Sequence, residues 1–154
     1  MKNDPLWYDF RNSVYSGLFE YAENLLAANP CLFDLSNSIG ETVLHFLAVE
    51  NNLEGVEWLY ARGFSFNTKN RFGTPMIFEV ASVGHRDLLL WLFQHGADFS
   101  VVDSKQRDIL AYLRRNLTYL RKNQDEKRIL RIEEMTQFLL ENIPCPRTSD
   151  NADF

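Results

Sequence analysis

The sequence is poor in the features that usually carry chemistry. It has only two cysteines, Cys31 and Cys145, far apart in the chain and without metal-ligand spacing, which reads as two reduced thiols rather than a disulfide or a metal site. It has no phosphate-cradling glycine loop, no serine on a nucleophile elbow and no CxxC pair. Long apolar runs are missing too: no window approaches the roughly 18 apolar residues of a membrane helix. The amino-terminal MKNDPLWYDF has no apolar signal core, so a cytoplasmic protein is expected. These absences argue against catalysis, bound cofactors, metal and membrane insertion.

What is present is enough for a folded domain. The chain has 154 residues, 45% hydrophobic and 24% charged, which excludes wholesale disorder and allows one continuous core. The formal net charge of −5 is unevenly spread. Residues 1–106 carry 7 Lys/Arg against 13 Asp/Glu, residues 107–131 carry 8 against 3, and residues 132–154 carry 1 against 5. An acidic body with one basic block bears on partners rather than on fold.

The strongest positive signal is repetition. Gly40/Gly73, Ala48/Ala81, Trp58/Trp91, Leu59/Leu92 and Gly63/Gly96 all recur at one offset of 33 residues. Such a period belongs to solenoids whose units each supply a turn and two helices. Phe10, Gly17, Leu25 and Asn29 stand 34 residues ahead of Leu44, Asn51, Leu59 and Gly63, a degenerate first copy. Phe10, Val14, Leu18 and Ala22, spaced by four, would share one buried face, with Gly17 breaking the run and Pro30 ending the second helix. Trp7, Tyr8 and Phe10 would cover the open apolar end.

Inner helices are expected near 42–50 and 75–83 and outer helices near 54–62 and 87–95. Trp58 and Trp91 take one place in successive outer helices and should pack in one layer. Polar segments at 31–39, 65–72 and 100–106 read as projecting finger turns. After Arg107 the helices lengthen: Asp108 to Lys122, a break at 123–125, then Glu126 to Asn142 with Ile129, Ile132, Met135 and Leu139 on its apolar stripe. Arg114 falls on the place of Ala81, so nothing should pack tightly behind it. One domain over 1–143 is expected, with repeats near 6–38, 39–71, 72–104 and 105–142, followed by a disordered tail over 144–154.

Thr42, Val43, Leu44 and His45, with Gly73, Thr74 and Pro75, Gly84 and His85, and Gly96, Ala97 and Asp98, resemble the ankyrin repeat. In that pattern Thr caps the inner helix, Pro pre-sets φ, and Gly takes the left-handed bend at a helix end. Two departures stand out. Thr74 and Pro75 sit one residue early relative to Gly84, and Ile77 or Phe78 stands where a His is usual. The resemblance implies an all-α ankyrin solenoid of about four repeats with a capping carboxyl-terminal pair. It also gives each histidine a structural role, with His45 bonding the turn, His85 opening the link between helices, and His95 at a helix carboxyl end, where a cation suits the dipole.

The same resemblance implies protein binding through fingertips and the exposed ends of inner helices. At the amino end these are Trp7 and Tyr15. In the next repeat they are Ser38, Ile39, Glu41, Val49 and Glu50, and in the following one Arg71, Phe72, Thr74, Ser82 and Val83. The last repeat contributes Ser104, Lys105, Arg107, Arg115 and Asn116. Ile39 and Phe72 are the most informative, because a solvated turn needs no large apolar tip. The run Arg114, Arg115, Arg121, Lys122, Lys127, Arg128, Arg131 could instead be a nucleic-acid patch, but few aromatics interleave with it and it reads better as a solvated face.

A chain of this size and charge is similar to the small ankyrin proteins of bacteria that act as immunity proteins, where an acidic face meets the basic cleft of a toxin. The expected partner is therefore another protein with a basic surface, such as a toxin domain. A reversible regulatory or scaffolding adaptor is the other reading. No small-molecule substrate, membrane or nucleic acid is expected, and the free chain should be a monomer.

Overall fold

The computed structural model describes residues 4–144; the expected tail therefore lies almost entirely outside the described residues. Among these the structure is helical throughout, with eight α-helices, one short 3-10 turn and no strand. Two compact units are present, Met1–Met76 and Ile77–Phe154.

In the first unit, α1 (Pro5–Tyr15) starts at Asp4, whose carboxylate accepts from the Leu6 amide at 2.9 Å, with Pro5 in the first turn where no amide is needed. Gly17 then takes a positive φ of 74° and turns the chain into α2 (Phe19–Ala28), which a 3-10 turn (Pro30–Phe33) follows. The bend breaks the expected four-residue stripe. Phe10, Val14 and Ala22 are buried, whereas Leu18 sits in the connection and is 59% exposed. The next pair is α3 (Val43–Val49), capped by the Thr42 hydroxyl, and α4 (Leu53–Ala61), capped by the Asn52 side chain bonding the Gly55 amide at 2.7 Å.

Helix α1 packs on both α3 and α4. Trp7, Phe10, Leu44, Leu47 and Leu59 are fully buried there. Each such side chain contributes on the order of 1.5–3 kcal/mol through apolar area removed from water. Trp58 is only half-buried: it stacks on Phe19 at 5.4 Å and lies under the Arg62 guanidinium, which also pairs with Glu23.

The second unit holds α5 (Met76–Ser82) from Ile77 onward, then α6 (Arg86–Gln94), α7 (Ile109–Lys122) and α8 (Glu126–Asn142). Asp108 caps α7 by accepting from the Ala111 amide at 2.8 Å, and Asp125 caps α8. Arg121 and Lys122 in the last turn of α7 complement its dipole. Helix α8 packs along α7 and also touches α6. Its Ile132, Met135 and Leu139 are buried, Ile129 is half-buried, and Arg114 on α7 is exposed. Trp91, also half-buried, stacks on His95 at 4.0 Å.

One backbone device recurs at intervals of 33 residues. The amides of Asn37, Asn70 and Asp103 donate to the carbonyls of Glu41, Thr74 and Arg107, each at 3.0 Å. The side-chain oxygens of the same three residues accept from the amides two and four places on. Between them Gly40, Gly73 and Gln106 all have positive φ, at 82°, 79° and 60°. Short Asx side chains thus fold each finger into one closed turn.

Candidate functional site

The first and second fingers are locked together through their backbones. The Arg71 amide donates to the Ile39 carbonyl at 2.7 Å, and a side chain at Gly40 would meet the Arg71 nitrogen at 2.5 Å. Only a glycine allows this approach. The lock sets the two fingertips side by side: Ile39 is 40% exposed, Phe72 is 59% exposed, and the Arg71 guanidinium lies over the Phe72 ring at 4.9 Å. Ser38 and Thr74 flank them, half-buried, with the Thr74 amide held by Asn70.

A second feature lies between α1 and α3. Arg11, Asn12 and Tyr15 from α1 face Phe46 of α3 and Glu50, the C-cap of that helix, across a shallow pocket. Tyr15 is 54% exposed, Glu50 is exposed, and Val49 is half-buried. The Arg11 guanidinium lies over the rings of Trp7, Tyr8 and Phe46, at 5.7, 5.2 and 4.8 Å. Rings of this kind attract a cation through their negative faces. Sequence reasoning named Tyr15 and Glu50 but missed Arg11 and Phe46. The signal was available as two four-residue steps, 11 to 15 and 46 to 50, on facing inner helices.

Two expected surface residues have to be withdrawn. Trp7 is fully buried, and its indole N–H donates to the Glu41 carbonyl at 3.1 Å. Glu41 is buried as well, because its carboxylate is used inward. One oxygen accepts from Asn37 at 3.0 Å, and the other lies 3.7 Å from His45 Nε2. The remaining ring nitrogen of His45 is 3.2 Å from the Thr68 hydroxyl, so this buried histidine ties the inner helix to the next finger. His95 is the C-cap of α6, its Nδ1 lying 2.8 Å from the Trp91 carbonyl, and His85 is the N-cap of the same helix.

In the second unit the expected residues fall apart into different roles. Ser104, Lys105 and Arg115 are exposed. Arg107 is half-buried because its Nε donates to Asp103 at 2.8 Å. Burial works against the charge of that carboxylate, yet the Arg107 amide, its guanidinium and the Lys105 amide outweigh it and hold Asp103 below the ordinary carboxylate range. Burial also pushes the Tyr112 hydroxyl up, and its ring packs on Phe78 at 5.2 Å. Ser82 and Val83 line one side of a cavity of 320 Å³ whose other walls come from α7, Asn116 among them, and from α8, a feature the sequence did not announce.

Closed fingers, paired helices and exposed tips define a helical-repeat binding module. Residues 44–93 match the family described as ankyrin repeats (many copies), so this stretch of the chain is similar to ankyrin repeats. No curated protein matches it. Ankyrin repeats are protein–protein interaction modules, generally without catalytic activity. Among the described residues no helix is long and apolar enough to cross a membrane.

Proposed function

We propose that this protein binds another protein through the fingertips Ile39, Arg71 and Phe72 together with the inner-helix ends at Tyr15, Val49 and Glu50. The observation that supports this most directly is the pair of large apolar tips held exposed by the Arg71–Ile39 backbone bond. Burying such anchors against a partner is how a few residues come to dominate an interface. Ser38 and Thr74 form the polar rim. The first unit carries 5 Lys/Arg against 9 Asp/Glu, which favours a partner with a basic surface and speeds its approach.

Within this reading the protein is a non-catalytic cytoplasmic inhibitor that neutralises a toxin domain by occupying it, with no cofactor of its own. A reversible adaptor would use the same surface, and affinity separates the two. An immunity protein binds its toxin at sub-nanomolar Kd, whereas an adaptor exchanges readily. Capture from the native source with wild type and with Ile39→Asp/Phe72→Asp tests the surface itself. Loss of one specific band, with helical content unchanged by circular dichroism, supports it; an unchanged band refutes the placement. Purified partner and titration calorimetry then separate inhibitor from adaptor.

A further inference from the structure

The inner helices α3 and α5 have 7 residues each, whereas α7 has 14. The two additional turns of α7 carry Asn116, Tyr119 and Leu120 beyond the length an inner helix normally reaches. Helix α8 returns alongside them and brings Arg128, Arg131 and Ile132 to the same cavity. Ser82 and Val83, at the end of α5, close the third side. A repeat with inner helices of ordinary length could not build this cavity.

Its chemistry is consistent. The floor is apolar, with Leu120 and Ile132 buried. The rim holds two guanidinium groups, one carboxamide and a phenol that is 62% exposed, and among the described residues no carboxylate lines it. The aliphatic stem of Arg131 lies against Gly84, where an added Cβ would come within 2.9 Å of it, so its charged end is held at the mouth. Arg128 reaches Asp125 at 3.5 Å, but both groups are solvent-exposed and such a pair is easily exchanged for a better acceptor.

We infer that this cavity is a second recognition site, which takes an acidic peptide segment of a protein partner by seating one apolar side chain on Leu120 and Ile132 between carboxylates held by Arg128 and Arg131. The volume suits one or two side chains. A sugar-phosphate backbone fits less well, because it carries no aliphatic side chain to seat on Leu120 and Ile132.

The test is fluorescence anisotropy at about 0.05 M salt, where exposed charges are weakly screened. The probe is a labelled Glu-Glu-Leu-Glu-Glu peptide, with Gln-Gln-Leu-Gln-Gln as control. Wild type should bind the glutamate peptide and not the glutamine peptide. Arg128→Gln with Arg131→Met, which keeps the stem against Gly84, should weaken binding by about tenfold or more, as truncating paired charges does. Tyr119→Ala should weaken it by a few-fold. Equal binding of both peptides, no binding of the glutamate peptide, an unchanged affinity in the double variant, or tighter binding of a single-stranded oligonucleotide would each overturn the proposal. Wild-type amide shifts at Tyr119 and Ile132 on peptide addition give an independent reading, should the variants fail to fold.

Discussion

In Met1–Met76 two fingers are closed by neutral asparagines, Asn37 and Asn70, whereas the finger in Ile77–Phe154 is closed by a carboxylate, Asp103, that also holds Arg107. The main-chain bonds are the same in all three, so the backbone does not distinguish them. The side chains do. In the first unit the tip positions are apolar, Ile39 and Phe72; the matching position in the second is Lys105, and the nearest large cation is turned inward. The left-handed position is glycine twice and Gln106 once. The repeat therefore fixes the polar atoms that close a turn and leaves the tip free to carry recognition.

The largest effect should come from breaking the core on which the first unit depends. Trp7→Ala removes a fully buried indole and its bond to the Glu41 carbonyl, at a cost of about 3–5 kcal/mol. Urea denaturation should show a midpoint far below that of wild type. A change under about 1 kcal/mol, the centre of the range for ordinary substitutions, would mean that the amino-terminal helix pair is not anchored by this side chain.

Exchanging the left-handed residues sharpens the contrast between units. Gly40→Gln forces a side chain into a conformation that costs about 1–3 kcal/mol, and its Cβ would push Arg71 away and break the bond to Ile39. Gln106→Gly relieves strain at the matching place and should shift stability by less than about 1 kcal/mol. Thermal denaturation of both variants measures the asymmetry; equal losses would show that the close approach of the first two fingers is not needed.

Asp103→Asn makes the third finger like the first two. It keeps an acceptor for both amides but loses the charge opposite Arg107, a cost of about 1 kcal/mol at neutral pH. Because the folded carboxylate titrates below its ordinary range, its contribution is present above that range and drains away as pH falls through the depressed value. Wild type and variant should therefore converge in stability in acid. Parallel curves down to low pH would sink this account.

Much of this architecture is legible in the chain itself, because period and capping are local. The offset of 33 placed α3 to α6 within a residue of their ends, and Thr42 caps its helix as the repeat pattern implies. The long α7 and α8 follow from apolar spacing alone. What failed depended on which way a side chain turns. Glu41 sits at a finger yet faces His45, and Trp7 sits near the terminus yet lies under Arg11. Burial of that kind is set by partners far along the chain. The cavity of α7 and α8 was hidden for the same reason: its two arginines read as members of a solvated run until α8 folds back to meet Asn116 and Tyr119.

The smallest effect on stability should come from the tips, and there the comparison becomes functional. Phe72→Lys gives the second finger the residue of the third, and Lys105→Phe does the reverse. Both positions are exposed, so each change should alter unfolding free energy by no more than about 0.5–1 kcal/mol; the upper end applies to Phe72, which loses the stacked Arg71. Capture of the partner should respond quite differently. Phe72→Lys removes an anchor and should weaken binding by about tenfold or more, as truncating a central aromatic does, while Lys105→Phe should leave it within a few-fold of wild type. Titration calorimetry with the captured protein reads both. If Lys105→Phe proves the more damaging, recognition belongs to the third finger, and the apolar tips of the first two serve the fold alone.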